Sequence, residues 1–189
     1  MSVLRLKESC PTAKVELWCE DEHRLGLKPI VRKVWSPIGE RPLIEVHQRY
    51  EWTYLYAFAR PNSGKVHWLI LPTVSAQAFS IALENFAREV GEGKKKRIVL
   101  VVDKAAWHTA KKDLEVPEGI HLEYLPSHSP ELQPSERLWP LSNEGVANRY
   151  FDILEELEEV LGARCVALID KPELIRSYTC YHWWPEAAL

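Results

Sequence analysis

The stretch Ile98-Val99-Leu100-Val101-Val102-Asp103 (IVLVVD) is where the reading of the fold turns. Five successive β-branched or aliphatic residues leave no polar side to face water. Such a run reads as a strand buried on both faces, in the middle of a sheet with helices on either side. Asp103 stands at its C-terminal end, and open α/β sheets place their ligand sites beyond that end of their strands. Asp103 is therefore the first candidate site residue.

Working back from Ile98, Phe79, Ala82, Leu83, Phe86 and Val90 recur at helical spacing, with Thr73 as the expected N-cap and Gly91 placed to close the helix. Before it, Glu51–Ala59 (EWTYLYAFA) and Lys65–Leu71 (KVHWLIL) read as strands joined by a hairpin turn at Pro61-Asn62-Ser63-Gly64. Lys14–Glu20 (KVELWCE) alternates apolar and polar residues and runs straight into Asp21; Ile30–Trp35 is a second apolar stretch, followed by turn residues. The first third thus reads as a β-meander. Downstream, Ile120–Leu125 (IHLEYL) is a further strand, closed by Pro126. Pro134 can open a helix through Glu136, Leu138 and Trp139 that Pro140 must kink or restart. Asp152 and Glu155 resemble a capping box, ahead of a helix whose face carries Leu154, Leu157, Leu161 and Leu168. Gly162 weakens that helix by about 1 kcal/mol relative to alanine. The order of strands and helices indicates one mixed α/β domain over residues 1–189.

Composition sets the outer limits. The 189 residues, 46% hydrophobic and 27% charged, suffice for one domain with a core of its own. Eight tryptophans must divide between that core and a binding surface. Cys10, Cys19, Cys165 and Cys180 form no CxxC pair, which points to free thiols in a reducing compartment rather than a zinc site. No apolar run is long enough to span a membrane and no leader opens the chain, so a cytoplasmic location is expected. A net charge of −3 argues against a stand-alone nucleic-acid binder, but not against an enzyme that gathers carboxylates around metal ions.

Three acidic residues sit where a sheet could collect them: Asp21, Asp103 and Glu136, the last in the first turn of a helix whose macrodipole favours its ionised form. Converging carboxylates suit magnesium or manganese, and two such ions can clamp the attacking and leaving oxygens of an in-line phosphoryl displacement. With 27 acidic residues in the chain, placement alone is a weak signal. Glu20 and Glu22 compete with Asp21 for the same role.

The segment Leu125–Trp139 (LPSHSPELQPSERLW) resembles the segment that carries the third acidic residue in insertion-sequence transposases of the mariner superfamily, where a Ser-Pro-Glu-Leu-x-Pro run precedes Glu and Arg-Leu-Trp. In the same order, CEDEHRLGL (Cys19–Leu27) and IVLVVDKAAWH (Ile98–His108) are similar to the segments of the first and second acidic residues. RKVWSPIGERP (Arg32–Pro42) and TCYHWWP (Thr179–Pro185) also look like family features. The resemblance covers nearly the whole chain. It implies a ribonuclease-H-like mixed sheet flanked by helices, and a DDE triad of Asp21, Asp103 and Glu136 holding two Mg²⁺ or Mn²⁺ ions; Glu20 and Glu22 become supporting residues. The implied activity is cleavage of transposon ends and strand transfer into target DNA, in a homodimer assembled on DNA. Alternatives are an inactive or domesticated remnant that binds DNA or protein, and a stand-alone nuclease of the same fold.

Two departures stand out. The Asn that commonly follows the second Asp in the family is Lys104 here. If its ammonium pointed inward it would repel the metal ions, so the expected pose is outward, towards a DNA phosphate. Secondly, only about twenty residues precede Asp21, too few for the helix-turn-helix region that reads terminal repeats, so the expectation is that another reading frame or gene supplies it, or that this is a truncated or trimmed catalytic half. Candidate DNA contacts are Lys104, the family-matching His108 (which reads equally as a satisfied structural histidine), Arg32, Lys33 and Arg41 around a turn, and Arg137 beside the third acid. The basic run Lys94–Arg97 reads as a solvated loop. Trp183 and Trp184 read as anchors of the C-terminal tail.

Overall fold

The computed structural model describes residues 3–43, 49–93, 95–110 and 112–184. Lys94 of the basic run and Pro185 of the closing motif lie outside these residues. Five strands, β1 (Lys14–Gly26), β2 (Trp52–Arg60), β3 (Lys65–Leu71), β4 (Lys96–Val102) and β5 (Ile120–Tyr124), form one sheet in the order β3-β2-β1-β4-β5. The meander β1–β2–β3 is antiparallel, whereas β4 runs parallel to β1 and β5 parallel to β4. This places the IVLVV run between two neighbours, as its unbroken apolarity requires.

Two cores sandwich the sheet. On one face, Trp18, Tyr56, Phe58, Ile98, Leu100 and Val102 meet the buried side of helix α2 (Ala76–Val90). Ser75, rather than Thr73, caps that helix by accepting a hydrogen bond from the Ala78 N–H at 3.0 Å. Gly91 ends it in the left-handed conformation, its N–H returning to Ala87. On the other face, Leu17, Cys19, Ala57, Val99 and Val101 pack beneath α1 (Val3–Ser9), α3 (Trp139–Asn143), α4 (Leu154–Ile169) and α5 (Pro172–Thr179). Helix α4 runs unbroken through Gly162 because Leu157, Leu161, Cys165 and Leu168 anchor it, and the glycine faces open space. Burying four such residues outweighs a penalty of about 1 kcal/mol. At the tip of the β2–β3 hairpin Gly64 adopts φ 65° against the Pro172 carbonyl, leaving no room for a Cβ.

Strand β1 is longer than its alternation suggests, and the reason is a change of partner. It pairs with β4 from Lys14 to Cys19 and with β2 from Cys19 to Gly26. Asp21 therefore lies inside the strand, not at its end, at the point where the edge towards β4 opens. Residues 27–51 carry no described helix or strand; the Ile30–Trp35 stretch is extended loop, tied to the Asn148 side chain through both backbone groups of Arg32. The helix expected from Pro134 is a 3-10 turn over Pro134–Leu138 that Pro140 restarts as α3, so only a single tight turn backs Glu136. The Asp152 start also differs in detail: Glu156, not Glu155, accepts from the Asp152 N–H.

Candidate metal centre

The register explains how the first two acids meet. Asp21 and Asp103 are each two residues beyond the last β1–β4 pair, Cys19 and Val101. Alternation returns both to the face of that pair, at the same level of the sheet. The open edge of β1 is then taken by the segment carrying the third acid. Gln133, buried, donates its side-chain amide to the Glu20 carbonyl at 2.7 Å, and the Ser135 hydroxyl donates to the Cys19 sulfur at 3.1 Å. These two bonds moor the turn, and Asp21, Asp103 and Glu136 line one cavity of about 340 Å³.

The charges in this cavity are unbalanced. Burial, then the negative charges of Glu136, Glu22 and Asp103, holds the Asp21 carboxyl well above its ordinary pKa. Asp103 is held below its ordinary value, first by its hydrogen bond with His108 and then, against partial burial, by the Ala105 N–H. Both hydrogen bonds fall on Oδ1, at 2.8 Å each. The donors are hard oxygens and Asp21 is crowded by like charge; this fits a divalent cation of the magnesium or manganese kind.

The reverse face of β1 carries a second acidic group. Glu20 and Glu22 point towards α2, and with His108 they bring ligand-type atoms within 4.8 Å of one another. Here the positive partner is already present. The His108 ring is fully buried, with Nδ1 2.8 Å from Asp103 Oδ1 and Nε2 3.1 Å from Glu22 Oε1. Burial by itself would lower its pKa, but hydrogen bonds with Asp103 and Glu22 and the charge of Glu20 push it up to about 10. Placing His108 at a DNA phosphate is thereby corrected: its ring has no exposed surface, and both nitrogens are committed inside.

The remaining expected residues divide. Lys104 is exposed on the cavity wall. Lys33 and Arg41 are exposed on the long loop, and Arg32 donates its guanidinium to the Pro140 carbonyl at 2.8 Å, which pins that loop near α3. Arg137 donates to the Tyr181 hydroxyl at 3.0 Å and so helps dock the C-terminal segment, whose Trp184 is buried. Cys19, beside the cavity, is no nucleophile: burial pushes its thiol up to about 12. Gln133 escapes a motif-based reading because it fills the variable position of Ser-Pro-Glu-Leu-x-Pro. A polar residue between Leu132 and Pro134, where the chain must turn inward, is the available signal.

A family model described as DDE superfamily endonuclease matches residues 16–158, a span that includes all three acids. The chain belongs to the DDE superfamily endonucleases. It is 33% identical to the uncharacterized protein y4pE/y4sA of Sinorhizobium fredii (strain NBRC 101917 / NGR234) over 136 residues, 70% of this chain and 96% of that protein. Among solved structures it is similar to the Mos1 strand transfer complex, with a TM-score of 0.52, 20% identity and 96% of this chain covered. It is similar too to the mariner Mos1 paired end complex with Mg, with a TM-score of 0.55, 21% identity and 89% covered. The chain spans 59% and 56% of the length of those Mos1 chains. The likeness shows the fold: the mixed five-stranded sheet with flanking helices is ribonuclease-H-like.

Proposed function

We propose that this DDE endonuclease domain is the catalytic part of a transposase, carrying out in-line phosphoryl transfer on DNA. The two steps would be hydrolysis at a transposon end and attack of the freed 3′-OH on target DNA. The observation that carries the reading is the cavity itself. Three carboxylates from β1, the end of β4 and the Pro134 turn converge in it, and among the described residues no hydrogen bond or ion pair with a cationic side chain reaches Asp21. Asp21, Asp103 and Glu136 would hold two Mg²⁺ or Mn²⁺ ions. Such ions supply charge stabilisation at the attacking and leaving oxygens of a phosphodiester. The chain's own residues fix the ligand geometry: Gln133 and Ser135 hold the Glu136 turn against β1, and β4 presents Asp103. Lys104 sits at the cavity wall, where its charge can meet a backbone phosphate, and Lys33, Arg41 and Arg32 extend that contact along the loop. Pairing of two copies on DNA belongs to the same proposal. Support comes from the related fold, seen in Mos1 as a paired-end complex with the left transposon end.

Manganese titration of the chain tests the metal site: Asp21→Asn and Asp103→Asn should each weaken binding at least tenfold, and unchanged binding in both would remove the basis for the reading. Lys104 on the cavity wall favours one second reading, a remnant disabled at that position. Tighter manganese binding together with gained cleavage in Lys104→Asn would establish it.

A further inference from the structure

We propose that His108 is a positioning residue for Asp103, braced from behind by Glu22. The inference rests on the metal-site reading above and goes beyond it. Asp103 follows the last residue of a rigid, doubly buried strand, yet its own side chain is 53% exposed and would otherwise be free to rotate. The His108 Nδ1–H and the Ala105 N–H both donate to Oδ1 at 2.8 Å, which fixes the carboxylate plane. Among the described residues no hydrogen bond reaches Oδ2, the oxygen left for a ligand bond.

The ring is itself held on every side. Glu22 Oε1 accepts from Nε2 at 3.1 Å and also from the Trp107 indole N–H at 2.8 Å. The Phe79 ring lies 4.3 Å from the imidazole, centroid to centroid. The Tyr124 hydroxyl donates to the His108 carbonyl at 2.9 Å, and the His108 N–H closes a turn onto Ala105 at 3.1 Å. The chain Glu22–His108–Asp103 thus passes from the α2 side of β1 to the cavity side. Groups that hydrogen-bond a metal-ligating carboxylate hold it in place, and losing such a partner costs about 10–100-fold in metal affinity.

The two amide replacements of histidine separate positioning from packing. The shorter amide of His108→Asn would place its nitrogen near the position of Nδ1, keeping the donor to Asp103, whereas the longer amide of His108→Gln reaches the Nε2 position and serves Glu22 instead. In manganese titrations of the full chain, His108→Gln is expected to weaken binding about tenfold. His108→Asn is expected to stay within about threefold of the native chain at a similar melting temperature. Native affinity in both variants, or equal losses that track melting temperature, would overturn the positioning role. Asp103→Asn is the control: native affinity there sinks the metal reading itself, while loss there with native affinity in His108→Gln sinks only the positioning. If neither His108 variant folds, the native chain decides by NMR. A downfield, slowly exchanging Nδ1 proton that Asp103→Asn displaces supports the bond, and a rapidly exchanging ring overturns it.

Discussion

Glu16 and Glu20 lie four residues apart on the same face of β1, both almost wholly buried, and they have opposite surroundings. Glu16 is compensated. Lys14 at 2.9 Å, Arg60 at 3.3 Å and Lys96 at 3.6 Å surround Oε1, and the Trp18 indole donates to Oε2 at 3.1 Å. Burial alone would raise its pKa, but these partners outweigh it and hold the group below its ordinary value. Around Glu20 neither carboxylate oxygen has a hydrogen-bond partner among the described residues, and burial, then the charge of Glu22, drives its pKa well up despite His108. One strand therefore begins as a neutralised clamp and ends in crowded carboxylates, Glu20 and Glu22 beside His108 on the α2 side and Asp21 in the cavity on the other. The clamp secures the sheet; at the crowded end only Asp21, on the opposite face from Glu20, lies in the cavity where a cation would be bound. Frustration confined to one end of an otherwise consistent strand is what a site, rather than a folding defect, looks like.

The sharpest way to break this contrast is to remove charge at the frustrated end and measure metal-dependent cleavage of DNA. Asp21→Asn or Asp103→Asn should reduce the rate by roughly a thousandfold or more, since metal-ion stabilisation of the transition state is worth several kcal/mol. A variant cleaving at near-native rate would mean that the excess charge serves something else. At the clamped end the same kind of change should touch stability alone. Glu16→Gln should cost about 1–2 kcal/mol in chemical denaturation, below the usual penalty for breaking a buried pair, because the stranded cations can reach water. No loss would show the clamp to be ornamental.

The pH dependence should also differ between the ends. Glu20 and Asp21, with folded-state values raised, contribute stability that is complete below the ordinary carboxylate range and lost as pH climbs through the raised values. Glu16, with its value lowered, contributes stability present above that range and lost as pH falls through the folded value. The melting temperature of the metal-free chain should thus decline as pH rises above the ordinary carboxylate range. Glu20→Gln should flatten that decline and raise the melting temperature by a few degrees at the alkaline end. A steeper decline in the variant would reverse the assignment. The smallest effect belongs to Lys104→Asn: manganese affinity nearly unchanged, and a DNA-binding salt slope lower by about one in a log–log plot. A tenfold gain in manganese affinity would put the ammonium inside the site.

Most of the strand pattern is legible in the sequence, because alternation and unbroken apolarity are imposed by the sheet itself. The IVLVV run and the KVHWLIL strand announce themselves in this way. The second half of β1 does not. Its residues Glu20-Asp21-Glu22-His23-Arg24 are polar, yet they continue the strand because β2 pairs with their backbone, which carries no side-chain signature. Asp103 and Glu136 are visible as candidates at element boundaries and Asp21 where the KVELWCE alternation stops, and motif likeness rather than placement singles them out. His108 illustrates the limit. Its distance from Asp103 along the chain is plain, but its passage beneath the sheet to Glu22, 86 residues away, is a property of three dimensions. The N-cap falls at Ser75 rather than Thr73 for a simpler reason: two hydroxyl residues stand close together, and packing of α2 chooses between them.

The hairpin tip at Gly64 bears on how this protein could be engineered. Pro61-Asn62-Ser63-Gly64 has the composition of a permissive turn, the sort chosen for inserting a tag or opening new chain ends. Yet Pro61 and Gly64 are buried, and the glycine is seated against Pro172 at the start of α5. A graft there would have to displace the C-terminal helix. The turn around Gly39 is the better place for an insertion, because its residues are exposed, provided that the glycine itself, held at φ 91°, is kept.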